Sequence, residues 1–422
     1  MKSHLQLIFF LGLCIVKSKG QLSPTWPTTW VLNRSTILQV CNTTGPVSSD
    51  VISHFALLDF DWSTSKQLWA KDKPMTAEEA LYAQGLSAHT ARPDAIIGTY
   101  RNSIKALPWF TTVREKISDP AYAKWFLPFG PPTVNGTEWH VPACDNNYSP
   151  PLCSALYHDQ TQTPGYPTGD GICDPPACDV GGVVPVGEYL FDPRAAGLEI
   201  NNQTLLQWFV DDYLFGPLGG GAPFVRFFFL DDGWTPYGPS EFDNFAIFDL
   251  GLSVAEVENM FLSYLAFMVA VQAAIVERGA FSWQLFYTDG LRGIWGNTIA
   301  GPLVGNSTCA ADLRILCSTD SPTQRRSIMY GFTMGDNSVL PVPLVDIANF
   351  QLVRGESAFL GHGWLGCDVA FEWPPQLDVD YGEPEGLCAE TAPGSGVFLR
   401  NFTKSTITMD CMTGQPGFEM HP

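Results

Sequence analysis

Short apolar runs along this chain alternate with longer stretches of helical periodicity. Runs rich in β-branched and aromatic residues are typical of strands, whereas apolar residues three or four positions apart are typical of helices. The clearest pair is Phe224–Trp234, followed by the long apolar stretch Val254–Arg278. The pattern predicts eight strands, at Thr36–Cys41, His54–Trp62, Ala95–Asn102, Pro185–Arg194, Phe224–Trp234, Ser282–Tyr287, Ile328–Met334 and Ala358–Leu365.

Eight alternations of strand and helix predict an α/β fold of the (β/α)8 TIM-barrel type, formed by residues 21–422. An open doubly wound sheet is the alternative. Residues 130–182 are dense in Pro, Gly and Asp and contain four cysteines, so they are predicted to be a disulfide-pinned insertion after the third strand. Residues 371–422 are predicted to form a β-rich C-terminal extension.

The N-terminus has the layout of a secretory signal peptide. Lys2 and His4 precede the apolar run Leu7–Val16, and small and polar residues follow as far as Gly20. The run is too short to cross a bilayer as a helix. Residues 1–20 are therefore predicted to be removed, and the protein is predicted to be secreted.

The cysteine count agrees with an extracellular location. One of the eleven cysteines, Cys14, lies in the signal peptide, and the remaining ten are an even number, as complete disulfide pairing requires. Close spacing suggests local pairs such as Cys309 with Cys317, and Cys367/Cys388 and Cys41/Cys411 also fit, but spacing leaves the connectivity open. The predicted disulfide cysteines are Cys41, Cys144, Cys153, Cys173, Cys178, Cys309, Cys317, Cys367, Cys388 and Cys411.

Acceptor triplets for N-glycosylation are spread along the whole chain. A single Asn-x-Ser/Thr triplet is a weak signal, but repeated triplets in a chain with a signal peptide predict a glycoprotein. The predicted sites are Asn33, Asn42, Asn135, Asn147, Asn202, Asn306 and Asn401.

The net charge and the aromatic content limit the classes of partner that we expect this protein to bind. Loss of Lys2, Lys17 and Lys19 with the signal peptide leaves 20 basic residues against 43 acidic ones, a net charge of −23. This charge disfavours nucleic acid and anionic membranes as partners. The apolar stretch Met260–Val276 is interrupted by polar residues, so a buried helix is predicted there rather than a membrane span. Aromatic residues make up 13% of the chain and suit the stacking of sugar rings.

Candidate catalytic residues follow from the position of acids at predicted strand ends. Barrel enzymes place reacting groups at the C-terminal ends of their strands, and glycoside hydrolysis needs two carboxyl groups. Asp231 and Asp232 follow the most apolar strand, and Asp192 ends the neighbouring one. Adjacent strand residues point to opposite faces, so one of Asp231 and Asp232 is expected to face the cleft, with Asp192 as its partner. The alternative is that these acids cap helices.

Other polar and aromatic residues near strand ends are predicted to bind substrate. Asp59 and Asp61 share one face of their strand and suit sugar hydroxyls or a structural Ca²⁺. Arg101 suits either an ion pair with a catalytic carboxylate or a structural salt bridge. No catalytic metal or other cofactor is expected. The predicted substrate-binding residues are Asp59, Asp61, Tyr100, Arg101, Glu188, Trp234, Tyr287 and Trp364.

Four motifs carry a resemblance to known proteins: LLDFDWS (Leu57–Ser63), TYRNSIKALPWFTTVREK (Thr99–Lys116), GEYLFDPR (Gly187–Arg194) and FFFLDDGW (Phe227–Trp234). In these motifs the chain resembles a little-characterised group of secreted eukaryotic proteins that are similar to glycosidases with a (β/α)8 barrel. The resemblance implies a glycosidase-like barrel with acids at its strand ends. The leading hypothesis is a secreted glycoside hydrolase acting on a polysaccharide or glycan, and the alternative is a non-catalytic carbohydrate-binding or cell-surface barrel protein.

Overall fold

The structure is a computed structural model. It describes residues 28–40, 42–69, 75–127, 156–157, 188–236, 238–239, 253–284, 296–300, 308–324, 327–330, 343–365 and 373–422. Its strands are β1 (Thr36–Val40), β2 (Leu57–Phe60), β3 (Ile96–Asn102), β4 (Lys105–Ala106), β5 (Leu156–Tyr157), β6 (Glu188–Leu190), β7 (Glu199–Ile200), β8 (Gln203–Thr204), β9 (Val225–Asp231), β10 (Trp234–Thr235), β11 (Gly238–Pro239), β12 (Phe281–Gln284), β13 (Gly296–Ala300), β14 (Ser327–Tyr330), β15 (Ala358–Leu365), β16 (Ala389–Glu390), β17 (Val397–Phe402), β18 (Ser405–Asp410) and β19 (Gln415–Met420).

The helices alternate with the longer strands. They are α1 (Ser49–Ile52), α2 (Lys66–Trp69), α3 (Ala77–Ala91), α4 (Thr111–Ser118), α5 (Leu205–Trp208), α6 (Val254–Glu277), α7 (Cys309–Leu316) and α8 (Pro343–Val353). A π-helical turn, Phe209–Leu214, continues α5.

The parallel strands form one sheet. The strands pair in the order β1, β2, β3, β9, β12, β13, β14 and β15, and β15 pairs in turn with β1, so the sheet closes on itself. Because these strands are parallel, their C-terminal ends meet at one end of the sheet. Polar residues that follow β2, β3 and β9 are thereby brought together.

The prediction of a regular (β/α)8 TIM-type barrel is wrong for this chain. Pro185–Arg194, predicted as the fourth barrel strand, supplies β6, which pairs antiparallel with β4 and β5 in a separate sheet. The strand β13 was not predicted, and no helix lies between β12 and β13 in the described residues. Further antiparallel sheets join β7 to β8, β10 to β11, and β16 through β19. A β-rich run predicts a strand but not its partner, because pairing depends on distant residues.

Aromatic side chains fill the interior of the closed sheet. Gly98 lies beside Phe227, and a Cβ at Gly98 would stand 2.3 Å from that ring, so the position requires glycine. The Phe229 ring contacts Tyr100 and Trp283, with ring centroids 5.7 and 4.5 Å apart. These rings are fully buried and form an apolar base beneath the polar strand ends.

The long helix α6 packs against the closed sheet. It begins with a capping box, in which Ser253 and Glu256 bind each other's backbone N–H groups. Within the described residues it is the one helix long and apolar enough to cross a membrane. Its buried face, which includes Met260, Phe267 and Val271, belongs to the same apolar core as the closed sheet.

Two disulfides connect α7 to the C-terminal antiparallel sheet. Cys309 is bonded to Cys411, and Cys317 is bonded to Cys388. The local pair suggested for Cys309 and Cys317 is therefore wrong, as are the Cys367/Cys388 and Cys41/Cys411 pairs. Spacing failed because folding brings α7 beside residues 71 and 102 positions further along the chain. The predicted disulfide residues Cys41, Cys144, Cys153, Cys173, Cys178 and Cys367 lie outside the described residues, as does the predicted signal peptide.

Removing the longer-range disulfide is expected to destabilise the protein strongly. In Cys309→Ser/Cys411→Ser the free energy of unfolding should fall by about 4 kcal/mol. The disulfide closes a loop of roughly 100 residues, and without it the unfolded chain gains conformational entropy. Urea unfolding measures this loss. Non-reducing peptide mapping provides the check on connectivity, and a peptide joining Cys309 to Cys317 would contradict the structure.

Candidate functional site

Polar residues from three neighbouring strands, two of which contribute acids, come together at the C-terminal end of the closed sheet. Asp59 and Asp61 lie on and just after β2, Tyr100 and Asn102 on β3, and Asp231 at the end of β9. Asn102 pairs with Asp231 across β3 and β9. Asp61 lies close enough to Tyr100 for its charge to raise the pKa of the phenol. We call Asp59, Asp61, Tyr100, Asn102, Asp231 and Asp232 the acidic cluster.

Tyr100 and Asp231 form the central hydrogen bond of the acidic cluster. The Tyr100 hydroxyl donates to Asp231 Oδ2 at 2.6 Å. The pKa of Tyr100 is raised well above its usual value, first by burial and then by the charges of Asp231, Asp232 and Asp61. The phenol therefore keeps its proton and serves as a donor to the carboxylate.

Asp232 is held by two residues that follow Tyr100 on the chain. Its Oδ2 accepts a hydrogen bond from Asn102 Nδ2 at 2.7 Å and lies 3.4 Å from Lys105 Nζ. Its backbone has a φ of 56°, which is uncommon outside glycine, and Ser103 Oγ donates to its carbonyl at 2.8 Å. A strained backbone fixed by several partners is common at functional sites.

Asp59 lies deepest in the cluster. It is fully buried, and among the residues that the structure describes neither carboxyl oxygen has a hydrogen-bond partner. Its pKa is raised well above the usual value, chiefly by burial and then by the charge of Asp61, against a smaller opposite effect of Arg101. Asp61 is nearer the strand end, where its Oδ1 accepts a hydrogen bond from the backbone N–H of Ser63 at 2.9 Å. The cluster thus combines a buried carboxyl group with a raised pKa and carboxyl groups whose oxygens accept hydrogen bonds.

Asp59 is expected to make stability depend on pH. A carboxyl group with a raised pKa in the folded protein binds its proton more tightly there than in the unfolded chain. The resulting stability is complete below the unfolded pKa of about 4 and is lost as pH rises through the folded pKa. Asp59→Asn removes this loss. As the pH rises from 4 to 8, the free energy of unfolding of the variant should therefore rise relative to that of the unmodified protein.

Urea unfolding at several pH values measures this difference, with the exposed Asp50→Asn as the matched control. Asp50→Asn should show the same pH dependence as the unmodified protein. A constant offset between Asp59→Asn and the unmodified protein across this range would contradict the raised pKa.

Arg101 points away from the acidic cluster toward the surrounding helices. Its Nη2 lies 3.0 Å from Glu78 Oε1 in a fully buried ion pair with α3. Its Nε donates to the Tyr213 carbonyl, and its Nη1 to Thr99 Oγ1 and the Tyr100 carbonyl. Of the two roles predicted for Arg101, the structural salt bridge is the one that the structure shows.

Asp192 also stands apart from the cluster. Its carboxylate accepts two hydrogen bonds from the Arg194 guanidinium, both at 2.9 Å, and one from the Arg194 backbone N–H. It caps the short 3-10 helix Pro193–Ala195. This is the capping alternative of the sequence analysis.

The aromatic and remaining predicted residues fall in different places. Trp234 is buried on β10, and within the described part of the chain its indole N–H has no hydrogen-bond partner. For Glu188 and Trp364 the structure describes the backbone alone, and Tyr287 lies outside the described residues. Among the predicted glycosylation sites, Asn202 and Asn401 are exposed and Asn33 and Asn42 are partly exposed, while Asn135, Asn147 and Asn306 lie outside the described residues.

Two residues of the site were missed as candidates. Asn102 lies two positions after Tyr100 and therefore shares its face of β3, which strand periodicity could have indicated. Lys105 follows the strand and reaches Asp232 because the chain turns back at Asn102, whose Oδ1 accepts the backbone N–H groups of Ile104 and Lys105. No pattern in the sequence predicted that turn.

Across the described part of the chain, no three His, Cys, Asp or Glu side chains form a group that could hold a metal ion. Proton transfer is the chemistry that the cluster can perform, since it holds carboxyl groups in different environments.

No protein-family model and no curated protein matches this chain. The resemblance to glycosidase-like secreted proteins therefore stays a prediction. The function is therefore inferred from the geometry of the acidic cluster.

Proposed function

We propose that this protein is a secreted glycoside hydrolase that acts on a polysaccharide or glycan. One observation carries the proposal: the parallel strands β2 and β9, which flank β3, bring to one end of the sheet a buried carboxyl group with a raised pKa, Asp59, and a carboxylate bound by a tyrosine, Asp231. Glycoside hydrolysis needs one carboxyl group that gives a proton and another that is ionised. Environments that separate the protonation of two acids are typical of acid–base pairs.

The ionised role belongs to Asp231. Tyr100 donates to one of its oxygens, and a hydrogen bond to the charged form favours that form. Asp231 then acts as nucleophile or as the base that activates water. Asp232, held by Asn102 and Lys105, keeps the strand end in place and offers hydrogen-bond acceptors to sugar hydroxyls.

The proton comes from the pair Asp59 and Asp61. Two carboxyl groups on the same face of one strand repel each other when both are charged, so the pair holds a proton more readily than either acid alone. Asp61 lies at the strand end and is the member that meets the leaving oxygen of the sugar. The reaction needs these acids and water, and no step is assigned to a cofactor.

A secreted location is part of the proposal. The two disulfides that join α7 to the C-terminal sheet are compatible with an oxidising compartment. Exposed asparagines in acceptor triplets, Asn202 and Asn401, have room for glycans.

One observation favours the second candidate, a non-catalytic carbohydrate-binding protein. The four acids of the cluster are between 0% and 6% exposed, so the described part of the chain leaves them little direct access to a substrate. In that case the cluster is a structural polar core, and a glycan binds elsewhere on the surface.

A panel of polysaccharides and oligosaccharides separates the two candidates. Release of reducing ends by the unmodified protein and by Asp50→Asn, with loss of at least about 100-fold in Asp61→Asn, supports the hydrolase. Binding of a glycan without hydrolysis across the panel supports the binding protein. Equal hydrolysis by Asp61→Asn would show that Asp61 is not the acid.

A further inference from the structure

A second polar group lies at the other end of the closed sheet, where the chain enters β1 and β15. Arg354 follows α8, Arg400 lies on β17, and both are buried, with exposures of 0% and 2%. The Trp30 ring lies close to both, with its centroid 5.2 Å from the guanidinium carbon of Arg354 and 5.5 Å from that of Arg400. We call these three residues the arginine junction.

Arg400 binds backbone carbonyls at the end of α8. Its Nη1 donates to the carbonyls of Gln351, Leu352 and Arg354 at 2.9, 3.2 and 2.7 Å, and its Nε donates to Gly386 at 2.8 Å. The last carbonyls of a helix have no partners within the helix, so a cation there is favourable. Arg400 therefore has a structural role that accounts for its position.

The hydrogen bonds of Arg354 do not account for its buried position in the same way. Its Nη2 donates to the Thr29 carbonyl, and its Nε donates to Gly355 at 3.3 Å. Its Nη1 is buried and has no hydrogen-bond partner in the described ranges of the chain. Leaving donors of a buried cation unsatisfied is costly, because the group has lost its water without gaining an acceptor.

The junction also lacks a compensating negative charge. Neither arginine forms an ion pair with a carboxylate in the part of the chain that the structure describes. Burial, together with the smaller effect of the charge of Arg400, lowers the pKa of Arg354 to about 9. Burial lowers the pKa of Arg400 to about 10. Two buried cations that lie close together repel each other, so the binding of an anion beside them is favourable.

We propose that the arginine junction binds a small monovalent inorganic anion, of which chloride is the representative, at Nη1 of Arg354. One NH₂ group is available there, which suits a single-atom anion; phosphate and carboxylate groups are bound more strongly by several donors. The anion would connect the N-terminal segment, α8 and the C-terminal sheet. This site is independent of the acidic cluster and of the proposed hydrolase activity.

Thermal unfolding of the full secreted chain tests the proposal. Sodium chloride is compared with sodium gluconate at equal ionic strength, so that general screening is the same in both. A specific anion at about a hundred times its Kd should raise Tm by about 3 °C for a protein of this size. In Arg354→Met the chloride response should disappear, whereas Arg314→Met, which removes an exposed cation paired with Glu390, should keep it.

A second measurement uses the unmodified protein, because Arg354→Met also removes buried packing. Crystals grown in bromide should show an anomalous peak at hydrogen-bond distance from Nη1 of Arg354. The proposal is overturned if no such peak appears at saturating bromide, or if Arg354→Met responds to chloride as the unmodified protein does. A rise of Tm in acetate but not in chloride would overturn the choice of a halide.

Discussion

Asp231→Asn is expected to lower kcat about 1,000-fold on any glycan that the unmodified protein hydrolyses. The asparagine keeps the shape of the side chain and can still accept a hydrogen bond from Tyr100, but it cannot act as nucleophile or base. Loss of a positioned acid or base costs about 100- to 10,000-fold in rate, and a factor of 1,000 corresponds to about 4 kcal/mol of transition-state stabilisation. Initial rates at saturating substrate give the change in kcat.

Two further aspartates serve as controls for this measurement. Asp211→Asn makes the same chemical change at an exposed residue that pairs with Arg278, so kcat should change less than about twofold. Asp192→Asn should lower kcat by less than about 10-fold, because Arg194 already occupies that carboxylate. If Asp192→Asn reduces kcat as much as Asp231→Asn does, the pairing of Asp192 with Asp231 that the sequence predicts is right, and the assignment of Asp61 as the acid is wrong.

Arg101→Met is expected to lower the free energy of unfolding by about 3–5 kcal/mol. The arginine binds Glu78 in a fully buried ion pair, and removing one partner leaves an uncompensated buried charge. Burial already raises the pKa of Glu78, against the opposite effect of Arg101, so without Arg101 the carboxyl group should take up a proton. Urea unfolding at pH 7 measures the loss.

A double variant separates charge from packing at this site. Arg101→Met/Glu78→Gln removes both charges and should recover part of the stability that Arg101→Met loses. Arg278→Met, which breaks an exposed ion pair, should cost less than about 1 kcal/mol. A cost for Arg101→Met as small as that for Arg278→Met would mean that the Arg101–Glu78 pair is not buried in solution.

Local patterns were enough to place several elements of this protein. Seven of the eight predicted strand segments overlap strands of the closed sheet, because each contains a β-rich run that must be buried. The apolar run Phe227–Leu230 and the two acids after it are the clearest case, since β9 ends at Asp231. The helix α6 was equally clear, because its length and its capping box are local features.

Tertiary structure alone decided which of the predicted site residues meet. Asp192 and Asp231 both follow β-rich runs, but β6 pairs outside the closed sheet, and the carboxylate after it binds Arg194, whereas that of Asp231 binds Tyr100. Arg101 and Tyr100 are neighbours on β3, yet one faces Glu78 on α3 and the other faces Asp231. The disulfide partners of Cys309 and Cys317 are equally non-local. Burial, ionisation and pairing depend on residues far away along the chain, and these contacts form only when the whole sheet has closed.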